Sequence, residues 1–183
     1  MLSITMNREG AVLHPAMMQK VLGTLGPDTA YPDPEVQKDA ETYPSSGSCV
    51  VATVIYAGLM GLTGQYCPLK PIVVKDTEQL GNPLEQHMML TDGINLVDFT
   101  DAKNGEGDFE LYSDREMDRM MQWLLDEPTL EARIQTALNK MEDVEFTAEQ
   151  VLGAFRQAYE EGKKLTVSEE LIRSQLGDPG LYH

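Results

Sequence analysis

The stretch from Val50 to Met60 constrains this chain more than any other. It is an apolar run relieved only by Thr53 and Gly58. A run of that length must be buried, and its length favours a helix, because buried strands usually stop after about four to eight residues. Ser45-Ser46-Gly47-Ser48 precedes it and supplies residues of the N-cap type. The reading is a buried helix over Val50–Leu62, closed by Gly61 or Gly64, with Cys49 in its first turn.

Composition bounds what can surround this helix. With 183 residues, 42% hydrophobic and 24% charged, the chain is long enough for one domain with a real core. No apolar run is long enough to span a bilayer. The first ten residues carry neither a basic flank nor an apolar segment of the signal-peptide kind, so a cytoplasmic location is expected. The formal charge of −16 argues against nucleic acid, which needs a basic patch. No membrane association is expected. A protein or peptide is the expected partner. Three scattered histidines (His14, His87, His183) and the absence of a Cys-x-x-Cys pair leave no zinc signature, so neither metal nor cofactor is expected. Cys49 and Cys67 read as thiols rather than a bridge, and Cys67 lacks any context beyond a structural one.

The remaining elements follow from periodicity and punctuation. Leu2, Ile4 and Met6 alternate as in a short strand. Pro15 opens a helix carrying Met17, Met18, Val21, Leu22 and Leu25, which Gly26-Pro27 ends. His14 before it reads as a cap or surface residue. The proline-rich stretch from Pro27 to Ser48 reads as a long loop, one wall of a cleft leading into Cys49. Leu69–Lys75 reads as a strand with Pro71 at its start or on an edge. Gln86–Thr91 and Ile94–Phe99 flank Asp92-Gly93, a two-residue hairpin signal. Asp101–Asp108 reads as loop. Ser113 with Glu116, and Thr147 with Gln150, have capping-box spacing, and Thr129 caps a helix between them. A last short helix is expected around Leu171, Ile172 and Leu176. The fold class is therefore α+β, with a core over residues 1–112 and a helical region over 113–183 packed on the same domain.

Cys49, His87 and Asp98 are the candidate catalytic residues. A thiolate is the nucleophile, and both a helix N-terminus and a neighbouring imidazolium favour it over the thiol. If Asp92 and Gly93 alone form the turn, counting back pairs Thr91 with Ile94 and His87 with Asp98. Opposed residues share a face, so the register sets the His87 ring beside the Asp98 carboxylate, which would fix its tautomer. Slipping by one residue would separate them.

The order of these parts resembles the papain-like cysteine enzymes, and most closely their transglutaminase-like branch. The matching pieces are Gly47-Ser48-Cys49, His87 to Leu90, Asp92-Gly93 and Val97-Asp98-Phe99-Thr100, about a third of the chain. The N-terminal region and the helices after Ser113 are not matched, and Met88 and Met89 stand where that branch has an aromatic partner to the histidine. The resemblance implies a papain-like core and a peptidase, amidase or transglutaminase-like acyl transfer through a Cys49 thioester. His87 would be the general acid and base, and the Cys49 amide one oxyanion donor. Tyr43 is the favoured second donor, with Gln37 and Gln65 as alternatives. Acyl transfer from coenzyme A would use the same triad, but no phosphate-cradling glycine loop or basic cluster supports it. The alternative from another class is a non-enzymatic acidic binding module on an inactive scaffold. It would use the helices around Met117, Met120, Met121 and Trp123.

Overall fold

The structure is a computed structural model, and it describes residues 14–64, 70–76, 86–93, 96–97, 99, 109–168 and 170. Its helices are α1 (Pro15–Leu22), α2 (Pro34–Thr42), α3 (Cys49–Leu62), α4 (Asp114–Leu125), α5 (Leu130–Leu138) and α6 (Ala148–Gly162). Its strands are β1 (Lys70–Asp76), β2 (Gln86–Thr91), β3 (Leu96–Val97) and β4 (Phe109–Leu111). The strands form one antiparallel sheet in the order β3-β2-β1-β4. Mixed helix and antiparallel sheet is the α+β arrangement that the alternation of patterns indicates.

Helix α3 is the centre of the molecule. Every residue from Val51 to Met60 is buried, as expected of a helix apolar on all sides. It packs on α6, α1, α5 and β2. Gly58 sets the approach to α6. A Cβ there would lie 2.5 Å from the Val151 carbonyl oxygen of α6, so only a glycine lets the two backbones come that near. Helix α6 supplies Val151, Leu152, Phe155, Ala158 and Tyr159 to the core, the stripe read from the sequence. Its Tyr159 hydroxyl donates to Asp118 of α4 at 2.5 Å. Burial first, and the Asp118 carboxylate second, push that phenol far above its usual range.

Local chemistry explains most boundaries. Pro15 stands at the first position of α1. The capping boxes Ser113/Glu116 and Thr147/Gln150 are both formed. Pro71 pairs with Leu90 of β2, while the described part of β4 meets only Val74–Asp76. A residue without an N–H therefore stands beyond the β4 ladder.

Two expectations are overturned. The stretch Pro27–Ser48 is not one loop, because it contains α2. Asp33 caps that helix, accepting from the Glu35 and Val36 amides at 2.9 and 3.3 Å, and Pro34 occupies its first turn. Proline breaks a helix interior, but Asp-Pro is also a helix start. The hairpin register also differs. Thr91 pairs with Leu96 and Leu90 with Val97, which leaves four residues rather than two between the strands. The Thr91 hydroxyl accepts the Gly93 amide at 3.0 Å, and Gly93 has φ +93°. The described pairing is thus displaced by two residues from the expected register. A shift of two keeps side chains on the same faces, and Asp98 itself lies outside the described residues. The strand read at Leu2–Met6, the loop at Asp101–Asp108 and the helix around Leu171 lie outside the described residues.

Candidate functional site around Cys49

Cys49 is the first residue of α3 and is partly exposed. The turn before it is tightly determined. Gly47 has φ +68°, a conformation that favours glycine. A Cβ at that position would also run into the Val36 side chain. The Ser46 amide donates to Tyr43 O at 2.8 Å and the Ser48 amide to Ser45 O at 3.1 Å. The chain therefore makes two successive tight turns before entering α3.

Ser48 occupies the N-cap position but does not cap. Its φ and ψ are −105° and 6°, outside the extended region that capping requires, and its side chain accepts no helix amide. The hydroxyl instead lies 3.1 Å from the Thr29 hydroxyl, and both residues are fully buried. Thr29 Oγ1 also donates to Gly26 O and accepts from the Gly26 amide, each at 2.9 Å. Either hydroxyl can supply the proton of the Thr29–Ser48 contact. The Tyr31 amide donates to Gly47 O at 3.0 Å, so segment 26–31 clasps the turn before Cys49 by backbone and side chain together.

Helix α5 and the residues around it hold this clasp. Arg133 is 8% exposed. Its Nη1 donates to Thr29 O at 3.3 Å, its Nη2 to Glu127 Oε2 at 2.7 Å, and its Nε to Thr129 Oγ1 at 3.1 Å. Its guanidinium stands 5.8 Å from the Tyr31 ring centroid. Glu127 also accepts from the Thr129 amide at 2.9 Å and hydroxyl at 2.7 Å. Burial alone would raise the Glu127 carboxyl, but these donors outweigh it and hold the group below its usual range. Lys140 adds contacts to Thr24 O at 3.0 Å and Asp28 at 2.7 Å. Thr129, expected as a cap for α5, makes no side-chain cap, because its hydroxyl belongs to this cluster.

The faces of α3 orient Cys49. At about 100° per residue, Thr53 and Tyr56 fall within about 40° of Cys49, whereas Gly58 lies about 180° away. The Gly58 side is against α6. Tyr56 meets Phe99 at 5.3 Å between ring centroids, tilted by 55°. The Cys49 stripe is thus on the side of α3 away from α6, the side reached by Phe99 just beyond β3. Two buried polar atoms mark this side. The Thr53 hydroxyl, one turn from Cys49 in a fully buried residue, has no hydrogen-bond partner among the described residues. The His14 Nε2 has none either. His14 is the N-cap residue of α1, yet its side chain does not cap, and its backbone amide donates to the Tyr56 hydroxyl at 3.2 Å.

His87 stands in β2 opposite Val74 and is half-buried. The structure sets α3, which carries Cys49, against β2, which carries His87. Asp98, Cys67 and Gln65 lie outside the described residues. Tyr43 is the C-cap residue of α2 and is 60% exposed. Gln37 is half-buried within α2. No group of His, Cys, Asp and Glu among the described residues is arranged to hold a metal ion. No described helix is long and apolar enough to cross a membrane.

Thr29, Ser48, Glu127 and Arg133 were not singled out by the sequence. Ser48 had looked like a cap, and nothing local ties Thr29 to Arg133, 104 positions away. Comparison with known proteins adds no assignment: no family model, curated protein or solved structure matches this chain.

Proposed function

We propose that this protein is a cysteine-dependent acyl-transfer enzyme with a papain-like or transglutaminase-like core. Cys49 is the nucleophile, His87 the general acid and base, and Asp98 its orienter. The observation that carries this reading is the entry to α3. A buried central helix begins at a partly exposed cysteine, and the serine in its cap position is held away from the helix amides. A helix N-terminus carries a partial positive charge, which favours a thiolate. The same amides are suited to a developing oxyanion.

In this reading the Cys49 thiolate attacks an amide carbonyl. The tetrahedral adduct collapses as the C–N bond breaks, and the His87 imidazolium gives its proton to the departing amine. Water or an acceptor amine then attacks the thioester, with His87 taking its proton, and the thiolate is released. Tyr43, exposed six residues before Cys49, is the proposed second oxyanion donor.

The test is alkylation of Cys49 against pH, read by mass spectrometry, with Cys67 as internal control. Fast labelling at mildly acidic pH that His87→Ala abolishes is the expected result. Slow labelling of both cysteines, unchanged by the substitution, would reduce Cys49 to a structural thiol. The second reading, a binding module, draws on Trp123, which is 51% exposed on α4. It gains if that labelling result is negative.

A further inference from the structure

Building on the nucleophile reading of Cys49, we infer that residues 32–46, with α2 at their centre, form a flap. It opens as a unit about the Tyr31–Gly47 contact and regulates access to Cys49.

The ends of this segment are held more firmly than its middle. The Tyr31 amide donates to Gly47 O at 3.0 Å, so the chain between them is a loop whose ends meet. That neck is tied to the body of the molecule. Arg133 of α5 donates to Thr29 O at 3.3 Å and stands 5.8 Å from the Tyr31 ring centroid. On the other side of the neck, the Ser48 hydroxyl meets that of Thr29 at 3.1 Å. Beyond the neck, α2 is built from its own sequence. Asp33 caps it, Pro34 opens it, and Pro44 follows its C-cap residue Tyr43. Among the described elements, α2 packs broadly on none. Pro34, Glu35, Lys38, Asp39, Glu41 and Thr42 are exposed.

A narrow stripe closes the flap. Val36 and Ala40 lie one turn apart; Ala40 is buried and Val36 is half-buried. The Val36 side chain fills the space that a Cβ on Gly47 would need, two residues before Cys49. Gly47 is therefore the seat of the flap as well as the pivot of the turn. The apolar surface so held is that of one valine and one alanine, against the unbroken buried run Val51–Met60 in α3. A segment with so little buried surface opens far more readily than the core. Cys49 is only partly exposed with the flap closed. Lifting Val36 off Gly47 uncovers the turn that leads into it.

The experiment combines amide hydrogen exchange of the full chain with labelling of Cys49 by two reagents, small iodoacetamide and bulky fluorescein maleimide. Both are read by peptide mass spectrometry. In wild type, α2 amides should exchange together and well ahead of those of α3 and α6. Val36→Ala keeps a good helix former in α2 and removes only the seated methyl groups. It should speed α2 exchange about fivefold, the size of that lost burial, and leave α3 and α6 unchanged. Maleimide labelling of Cys49 should rise by a similar factor relative to iodoacetamide, with no such change at Cys67. Exchange of α2 in step with α3 would mean that it opens only when the core unfolds, which overturns the flap. Faster α2 exchange with an unchanged ratio of the two reagents at Cys49 overturns its role as a gate. The reagent ratio reports access, whereas the dependence of iodoacetamide labelling on pH and on His87 reports the nucleophile. Loss of the second with the first intact defeats the nucleophile reading and leaves the flap standing.

Discussion

Helices α3 and α6 pack against each other, yet their N-termini are built in opposite ways. Helix α6 opens with a complete capping box. The Gln150 amide donates to the Thr147 hydroxyl at 3.3 Å, and Gln150 Oε1 accepts the Thr147 amide at 2.9 Å. Helix α3 also opens behind a hydroxyl residue, but Ser48 gives its side chain to Thr29. Helix α6 is amphipathic and ends its polar face in solvent, and α3 is buried from Val51 to Met60. The difference teaches that α6 is stabilised from within its own sequence, while α3 depends on its neighbours. The same kind of residue before a helix thus serves a local cap in α6 and a tertiary contact in α3.

The largest expected effect comes from the group that holds the α3 entry. Arg133→Ala leaves Glu127 buried without its cation and should cost about 3–5 kcal/mol by chemical denaturation. Replacing the pair together by Met and Gln should cost much less. Equal losses in the single and double variants would show that the pair contributes packing rather than charge.

Next is the seam between the two helices. Gly58→Val sets a side chain against the Val151 carbonyl and should cost about 1–3 kcal/mol through overpacking. A neutral outcome would mean that the helices can part without loss, and would weaken the view that α3 relies on α6.

Thr147→Ala should cost about 1 kcal/mol by removing one arm of the α6 cap. It should leave the labelling of Cys49 unchanged, because the α6 N-terminus plays no part at the α3 entry. A change in labelling would mean that the two helix starts are coupled.

The smallest effect is in pH dependence. The Glu127 carboxyl is held below its usual range in the folded state. Its stabilisation is therefore complete above the unfolded glutamate value of about 4.3. It is lost as pH falls from there through the lower folded value. Glu127→Gln should flatten the acid limb of the stability curve in that window and leave the limb above it unchanged in shape. An acid limb as steep as wild type would assign the dependence to other carboxylates.

Much of this arrangement was legible in the sequence. The apolar run from Val50 to Met60 announced a buried helix, and its start placed Cys49 in the first turn. Ser113 with Glu116 and Thr147 with Gln150 announced two helix starts correctly, since a capping box closes within three residues. Asp33-Pro34 carried an equally local signal for α2, which the surrounding prolines obscured. The hairpin was recognisable from Asp92-Gly93, but its register was not, because a turn dipeptide marks where the chain reverses without fixing which residues beyond it pair.

The sequence by itself determined which segments must be buried and where most helices begin, because periodicity and capping act over a few neighbouring residues. Tertiary structure alone decided what Ser48 does. Its partner Thr29 is 19 positions away, and the arginine that holds Thr29 is 104 positions further along. A hydroxyl chooses between a helix amide and a distant side chain by which one burial brings within reach. That choice exists only once α5 has closed over the turn before Cys49.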